Sequence, residues 1–208
     1  MGGIRVEFHK ITKRFGGRPV LRGISGQVSP GRVLVVTGPN GSGKSTLINV
    51  LAGLLRPSEG TVRYLEGQQP LPQQVWHRIL GVCAPDMAVY QEFSALENLS
   101  FFCQLRGLSR SQSELAELLQ GLGLAAGDLR RPVGQFSSGM LQRVKLAQAL
   151  VHDPQVLLLD EPSSNLDAAG HQLLAALVGR FRTRAAVVVA TNDPREVTWG
   201  DEILELAA

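Results

Sequence analysis

Residues 38–45 read GPNGSGKS, and this motif gives the strongest indication of the fold class. It fits G-x-x-x-x-G-K-S/T, a pattern whose glycines let consecutive backbone N–H groups turn inward around phosphate oxygens. The stretch follows the apolar run Val33–Thr37, which is typical of a fully buried strand, and it precedes a segment with helical periodicity. The predicted helix places four apolar residues on one face: Leu47, Val50, Leu51 and Leu54. A plain glycine turn is the alternative, but a strand before the loop and an amphipathic helix after it favour a phosphate-binding loop.

The residue types in this loop fit a nucleoside triphosphate and its cation. Lys44 is predicted to reach the β and γ phosphates, and the Ser45 hydroxyl to hold Mg²⁺. The remaining predicted phosphate-binding residues are Asn40, Gly41, Ser42, Gly43 and Thr46. The sequence therefore predicts that the chain binds ATP with Mg²⁺.

A second motif lies at residues 156–161, where VLLLDE reads as a buried strand that ends in two acids. Ligands bind at the carboxyl edge of parallel sheets, so Asp160 is predicted to take the Mg²⁺. Glu161 points elsewhere and is predicted to polarise water for in-line attack on the γ phosphate. An acidic surface turn is the alternative, and the phosphate loop argues against it.

Strands alternate with helices along the chain, which predicts a mainly parallel α/β sheet. From about Pro85 to Pro132 the long β runs vanish, and we predict an inserted helical subdomain there. Ser111 and Glu114 form a predicted capping box at the start of one of its helices. The predicted strands are Ile4–Phe8, Pro19–Val28, Val33–Thr37, Thr61–Leu65, Leu80–Ala84, Gln155–Asp160, Ala185–Ala190 and Glu202–Leu206. The predicted helices are the segment after Lys44, Ala95–Leu105, Ser113–Leu122, Ser138–His152 and Asp167–Phe181.

Composition excludes several classes of protein. The 208 residues, 44% hydrophobic and 19% charged, indicate one ordered globular domain rather than a disordered chain. No apolar run reaches the roughly 18–20 residues that span a bilayer, and the N-terminus lacks the apolar stretch of a secretory signal. Cys83 and Cys103 form no paired motif, which favours a reducing, cytoplasmic compartment. A net charge of +3 is too small to indicate nucleic acid as a partner.

The motifs together resemble the ATP-binding subunit of ABC transporters over nearly the whole chain. Residues 136–140, FSSGM, ahead of Gln142 and Arg143, are similar to the family's signature motif, and Ser164–Asp167 is similar to its D-loop. The resemblance implies an α/β fold: a P-loop NTPase cassette of ABC type, with a mainly parallel sheet, an N-terminal antiparallel β part and the inserted helices. It implies a single domain, 1–208, whose core is about 1–84 and 134–208 and whose helical subdomain is about 85–133.

The resemblance also implies roles and partners. Two ABC subunits sandwich two ATP molecules head to tail, so a second copy or a homologous subunit is expected as a partner. Ser137 and the Gly139 N–H would then face a γ phosphate bound by the other subunit. Phe15 would stack on adenine, with a plain core phenylalanine as the alternative. A separate transmembrane permease is implied, with this chain at the cytoplasmic face of the cell membrane.

Two positions depart from the family pattern. Asn192 stands where the family usually has a histidine that contacts the γ phosphate, and none of the four histidines (His9, His77, His152 and His171) is available there. Asn can donate a hydrogen bond but cannot carry a charge. Pro85 stands at the position of the usual glutamine, beside Asp86. Asp86 is a candidate ligand for Mg²⁺ or for the membrane partner, with a helix cap or turn acid as the alternative. Because Glu161 is retained, we predict hydrolysis that is slow or partner-dependent.

The leading functional hypothesis is the motor subunit of an ABC transporter. Three features resemble small bacterial exporter subunits, including the ATPase of the cytochrome c maturation (haem exporter) system. They are the motif SSGM at residues 137–140, the motif Leu-Glu-Asn-Leu at residues 96–99, and the short end after the last strand. A soluble ABC ATPase of chromosome maintenance, repair or translation is one alternative. A nucleotide-dependent regulatory module with little turnover is the other, favoured by the missing histidine and glutamine.

Overall fold

The fold rests on two β-sheets with helices packed against them, in a computed structural model that describes residues 3–207. Met1, Gly2 and Ala208, which the predicted domain 1–208 includes, lie outside the described residues. The strands are β1 (Ile4–Phe15), β2 (Arg18–Val28), β3 (Val33–Thr37), β4 (Glu59–Glu66), β5 (Gln69–Pro70), β6 (Leu80–Cys83), β7 (Val156–Asp160), β8 (Ala186–Ala190) and β9 (Glu202–Glu205). The helices are α1 (Lys44–Leu51), α2 (Trp76–Ile79), α3 (Ala95–Leu105), α4 (Gln112–Gly121), α5 (Ser138–Leu150), α6 (Ala168–Phe181) and α7 (Pro194–Val197). Short 3₁₀ turns cover Gln73–Val75, Ala126–Asp128 and Val133–Gln135.

The larger sheet has the strand order β6-β7-β8-β3-β9, and its neighbouring strands pair in parallel. The smaller sheet has the order β2-β1-β4-β5 and is antiparallel. The structure thus has the expected α/β architecture, with a parallel sheet and a separate N-terminal antiparallel part as the family resemblance implied. β1 is longer than predicted, because register shifts after Phe8 let the strand continue pairing to Phe15.

Both faces of the parallel sheet are buried at its central strands β3, β7 and β8, which explains why these strands are almost continuously apolar, whereas the edge strand β9 is largely exposed. On β3, Val33 and Val35 pack into the core that α3, α4, α5 and α6 cover. Leu34 and Val36 pack on the opposite face with α1 and the antiparallel sheet. The sheet is therefore the central layer between two cores, and its edges carry the loops.

One prediction for α1 is wrong. Leu47, Val50 and Leu51 are buried as expected, but the helix ends at Leu51 and Leu54 is 74% exposed. Gly53 follows the C-terminus of the helix with φ of +73° and turns the chain away before Leu54 can join the apolar face. The amphipathic face thus covers two turns only.

Between β6 and α5 the described residues form helices and turns, with one isolated β-bridge from Ser94 to Pro132. The predicted capping box at Ser111 and Glu114 is present, and a second one at Ser94 and Glu97 opens α3. The division into a core at 1–84 and 134–208 and a helical subdomain at 85–133 remains a prediction. Among the described residues, no helix is long and apolar enough to cross a membrane.

Candidate nucleotide-binding site

The loop between β3 and α1 takes a path that only glycine permits at two key positions. Gly38 has φ of +147°, and an added Cβ there would lie 2.5 Å from the Leu206 carbonyl oxygen. Gly43 has φ of +100°, and its Cβ would lie 2.8 Å from the Leu21 side chain. The loop borders a cavity of about 280 Å³. The lining residues are Val20, Asn40, Gly41, Gly43, Lys44, Ser45, Thr46 and Glu161.

The N-terminus of α1 opens toward this cavity and has no side-chain cap, which leaves backbone N–H groups free to bind an anion. Lys44 is buried, and its ammonium donates to the carbonyl oxygens of Gly38 at 2.8 Å and Pro39 at 3.3 Å. Ser42 is also buried, and its hydroxyl has no hydrogen-bond partner among residues 3–207. The free N–H groups of α1 and the Ser42 hydroxyl are thus available as donors around the cavity, as a phosphate site requires.

Asp160 ends β7 beside this loop and is only 3% exposed. Burial raises the pKa of its carboxyl, and a hydrogen bond from the Ser45 hydroxyl partly offsets the rise. Within the described part of the chain its Oδ1 has no hydrogen-bond partner. An unpaired carboxylate beside a serine hydroxyl is a fitting oxygen ligand set for Mg²⁺. No group of three or more His, Cys, Asp or Glu in residues 3–207 is placed to hold a metal by itself, so this pair needs further oxygens from a ligand.

Glu161 follows with a left-handed backbone, φ of +45°, and its N–H donates to the Ala190 carbonyl oxygen at 2.8 Å. The Glu161 carboxylate lies near Lys44, whose Nζ is 3.8 Å from Oε1. Burial raises the pKa of Glu161, while the charge of Lys44 and the backbone N–H of Asn192 act to lower it. A carboxyl group with a raised pKa at the cavity wall is suited to accept a proton.

Asn192 lies just past the end of β8, at the same edge of the sheet. Its side-chain Nδ2 donates to Oδ1 of Asn40 in the phosphate loop at 2.9 Å. The loop after β8 therefore reaches across to the phosphate loop. The strands β7, β8 and β3 are neighbours, and their carboxyl ends bring Asp160, Glu161 and Asn192 to the loop that holds Lys44.

Asp86 is exposed after β6, and its charge contributes to raising the pKa of Asp160. It is therefore within electrostatic range of the cavity, although it does not line it. The carbonyl oxygen of Pro85 accepts a hydrogen bond from the Lys145 ammonium on α5. The chain after β6 is thus attached to α5 through a lysine that sequence reasoning did not single out.

The signature residues lie elsewhere on the surface. Ser137 caps α5 by accepting a hydrogen bond from the Met140 N–H at 3.3 Å, and it is exposed. At Gly139 an added Cβ would lie 2.7 Å from the Asn165 carbonyl oxygen, so backbone meets backbone there. Neither Ser137 nor Gly139 belongs to the described lining of the cavity.

Phe15 is 49% exposed at the end of β1, so it is not a core residue. The Lys13 ammonium lies 5.1 Å from the centroid of its ring. Phe15 pairs with Arg18 on β2, two residues before Val20, which lines the cavity. The ring therefore stands on the strand pair that borders the cavity, with exposed area for a flat ligand.

Two contacts near the cavity had no signal in the sequence. The His171 ring on α6 lies 3.7 Å from the carboxylate of Asp193, measured from Nε2 to Oδ2. Hydrogen bonds from Arg195 hold the pKa of Asp193 at about 2. Glu196, fully buried on α7, accepts a hydrogen bond from the Ser163 N–H. These partners are 22 and 33 residues apart in sequence, so no local pattern announced them.

Comparison with known proteins agrees with this architecture. The family described as ABC transporter matches residues 21–164. An iron(III) import ATP-binding protein, FbpC 2 of Rhodococcus jostii, is 33% identical over 98% of this chain and 60% of its own length. The lantibiotic transport ATP-binding protein SrtF of Streptococcus pyogenes is 31% identical over 90% of this chain and 79% of its own.

A solved dimeric bacterial ABC transporter cassette, MJ0796, superposes with a TM-score of 0.84 at 26% identity, covering 97% of this chain and 94% of that one. The chain spans 60% and 55% of the length of two of its importer relatives, for iron(III) and for sulfate or thiosulfate. The fold and the site together define a P-loop ATPase cassette. The chain belongs to the ABC transporter family, in its ATP-binding subunits.

Proposed function

We propose that this chain is the ATP-binding and ATP-hydrolysing motor subunit of an ABC transporter. The observation that carries the proposal is the convergence of Lys44, Asp160, Glu161 and Asn192 on the loop between β3 and α1. Lys44 and Glu161 line the cavity, with Lys44 Nζ 3.8 Å from Glu161 Oε1. Asp160 lies beside Ser45, and Asn192 hydrogen-bonds to Asn40. Each of these side chains offers what phosphoryl transfer needs: a cation for the phosphates, a ligand for the metal, a base and a neutral donor.

ATP binding follows from the loop. The N–H groups of Gly41, Gly43 and Lys44 surround the phosphates, and the Lys44 ammonium exchanges loop carbonyls for phosphate oxygens. Ser45 and Asp160 would hold Mg²⁺, and Asp86 is a further carboxylate whose charge acts on Asp160. The buried, unpartnered Oδ1 of Asp160 supports this assignment, because a divalent cation relieves a buried carboxylate. When bound, the cation neutralises charge that develops on the phosphates.

Hydrolysis is assigned to Glu161 as the group that takes a proton from the attacking water. Its pKa is raised by burial, which brings it nearer to neutral pH, and its carboxylate stands at the cavity wall. Asn192 donates its side-chain N–H to the γ phosphate in place of Asn40, without carrying charge. A neutral donor at this place supports slow turnover.

A second copy, or a homologous ATPase subunit, completes the site. Ser137 and Gly139 are outside the chain's own cavity, and they lie at the exposed N-terminus of α5, where the helix dipole and the N–H groups that Ser137 does not cap are suited to bind phosphate on another subunit. The MJ0796 cassette is described as dimeric. Two copies arranged head to tail bring each signature motif to the other copy's phosphate loop.

The helical region is the proposed binding surface for a transmembrane partner, with the chain at the cytoplasmic face of the membrane. Three aromatic side chains cluster at the surface there: Tyr90, Phe93 and Phe101, with ring centroids 5.1 to 6.0 Å apart. Tyr90 is 49% exposed, in a chain with only 5% aromatic residues, and aromatic rings are enriched where proteins bind one another. This cluster follows Pro85 and Asp86, so a movement at the cavity edge reaches it through a short segment.

Export is the direction we propose, supported by the likeness of residues 137–140 and 96–99 to small bacterial exporter subunits. The relatives include an iron importer and a lantibiotic transport protein, so family membership alone does not select a direction. The permease selects the cargo. The same likeness to exporter subunits, which include the haem-exporter ATPase, points to haem-related cargo.

The test is single-turnover hydrolysis of MgATP by the Glu161→Gln variant. Loss of the base is expected to slow hydrolysis by about 10²- to 10⁴-fold, while ATP affinity changes little. Glu117→Gln, which changes an exposed carboxyl on α4, serves as the matched control. A Glu161→Gln chain that turns over as fast as its parent would mean that Glu161 is not the base.

A regulatory module that binds ATP with little turnover is the second candidate, favoured by Asn192 and Pro85 at the two departing positions. The same experiment separates the two functions. A parent chain that binds ATP but hydrolyses none, even with its membrane partner, would support the regulatory role.

A further inference from the structure

Glu196 is a fully buried carboxyl group that the proposed chemistry does not use. It lies on α7 with 0% exposure, and its Oε1 accepts the Ser163 N–H at 3.2 Å. Its Oε2 is buried without a hydrogen-bond partner in the part of the chain that the structure describes. Burying a carboxyl group with an unpaired oxygen costs folding free energy. A residue kept there at that cost suggests a role other than packing.

Glu196 joins two segments that are each connected to a residue lining the nucleotide cavity, one by the hydrogen bond to Asn40 and the other by the chain after Glu161. One is the switch segment, residues 191–197, which contains Asn192 and α7. The other is the bridge segment, residues 162–167, which follows Glu161 and leads into α6. A second contact joins the same region, because His171 on α6 meets Asp193 at 3.7 Å. The switch segment therefore cannot shift without displacing the bridge segment or breaking both contacts.

The bridge segment is attached at its other side to α5. The Asn165 carbonyl oxygen lies 2.7 Å from the position of a Cβ on Gly139, and the Gln142 side chain donates to the Pro162 carbonyl oxygen at 2.9 Å. A series of side-chain-to-backbone hydrogen bonds and close packing thus links the switch segment through Glu196 and the bridge segment to the N-terminus of α5. Close packing of this kind transmits displacement, since little free space absorbs it.

We propose that Glu196 is a positioning residue that couples the phosphate cavity to the N-terminus of α5 within one chain. A nucleotide that draws Asn192 away from Asn40 moves α7, and Glu196 carries the movement to Ser163 and on to Gly139. The inference rests on the proposed function, since it takes ATP as the ligand of the cavity. Its consequence is that occupancy of one cavity tunes the signature surface that serves the second copy.

The test is hydrogen exchange measured by mass spectrometry on the full chain, with and without Mg²⁺ and a non-hydrolysable ATP analogue. The protein concentration is one at which light scattering shows a monomer in both samples, so that a second copy does not itself protect residues 138–141. The variants are Glu196→Met, which keeps the volume but removes the acceptor, and Glu196→Gln, which keeps an acceptor oxygen. Tyr64→Phe is the matched control, because it removes a buried side-chain hydrogen bond, to the Leu51 carbonyl oxygen, away from α7. Affinity for the analogue is measured in the same samples.

In the parent chain the analogue is expected to slow exchange in residues 38–46 and also in residues 138–141 and 163–167. In Glu196→Met the analogue is expected to bind with unchanged affinity and to slow exchange in residues 38–46 as in the parent. The slowing of exchange in residues 138–141 is expected to fall at least about twofold. Glu196→Gln and Tyr64→Phe are expected to behave like the parent. Retention of the distant effect in Glu196→Met, or equal loss in Glu196→Gln or Tyr64→Phe, would overturn the proposal.

The parent chain alone provides a second check that needs no variant to fold. An analogue that binds and protects only residues 38–46 overturns the coupling while leaving the proposed function intact. A parent chain that binds no analogue overturns the proposed function, and the coupling with it.

Discussion

At the scale of single residues, some buried polar groups beside the cavity form no hydrogen bond with the described part of the chain. Asp160 is the clearest case, because burial raises its pKa and its Oδ1 lacks a partner within residues 3–207. Ionisation is then easier in the unfolded chain than in the folded one. The carboxyl therefore lowers the stability of the nucleotide-free protein above its unfolded pKa of about 4, and this cost disappears below that pH.

We expect Asp160→Asn to raise the free energy of unfolding at pH 7, without nucleotide, by on the order of 1 kcal/mol. The gain should shrink as the pH falls toward about 4, where the parent carboxyl is protonated in both states. Urea unfolding across this pH range measures it, with Glu117→Gln as the exposed control. A gain that is independent of pH would contradict the assignment to Asp160 ionisation.

Phe15 makes a second prediction at this scale, because a stacked ring acts on the base and not on the phosphates. We expect Phe15→Ala to weaken ATP binding by about 1–3 kcal/mol, or roughly 5- to 150-fold, while binding of inorganic triphosphate is unchanged. Tyr90→Ala is the control, since Tyr90 has the same 49% exposure as Phe15. Equal weakening of both ligands in calorimetry would instead indicate damage to the phosphate loop.

At the scale of elements, the helices after β6 start at strong local signals. Both α3 and α4 open with a capping box, in which the serine accepts from the N3 backbone and the N3 glutamate accepts from the serine N–H. Ser94 is buried and Ser111 is exposed. The two helices therefore share one capping mechanism in different surroundings.

We expect Ser94→Ala to cost about 1–2 kcal/mol of stability and Ser111→Ala about 0.5–1 kcal/mol, because the buried cap has no water to replace it. Urea unfolding followed by circular dichroism measures both values. A larger loss at Ser111 would indicate that burial does not set the strength of these caps.

At the scale of the whole molecule, the predicted phosphate loop and the predicted signature motif lie at separate places in the chain. Gly139 lies where the α5 N-terminus meets the bridge segment, and its added Cβ would lie 2.7 Å from the Asn165 carbonyl oxygen. Backbone cannot yield there as a flexible side chain would. The signature surface thus depends on contacts from two distant parts of the chain.

We expect Gly139→Ala to weaken ATP-driven dimerisation of the Glu161→Gln chain about tenfold or more, since overpacking costs about 1–3 kcal/mol. ATP binding to each chain should remain. Gly179→Ala is the control, because a Cβ at that position in α6 meets nothing within 4 Å. Light scattering with and without ATP measures the dimer, and an unaffected Gly139→Ala dimer would exclude the signature turn from the interface.

The features that the sequence predicts are those whose signals are local. The phosphate loop, the acidic end of β7 and the capping box of α4 each lie within a few residues, where φ, hydrogen bonding and hydrophobic period act directly. The burial of Leu54 was predicted wrongly, because a periodicity of apolar residues does not record where a glycine ends the helix.

Contacts between residues that are distant in sequence could be identified only from the tertiary structure. Asn40 and Asn192 are 152 residues apart and hydrogen-bond at 2.9 Å, because β3 and β8 are neighbours in the sheet. The Ser163 contact of Glu196 and the Asp193 contact of His171 arise in the same way, from packing of α6 and α7 against the strand ends. Such contacts depend on strand order, which non-local burial selects, and no pattern within one segment of sequence encodes it.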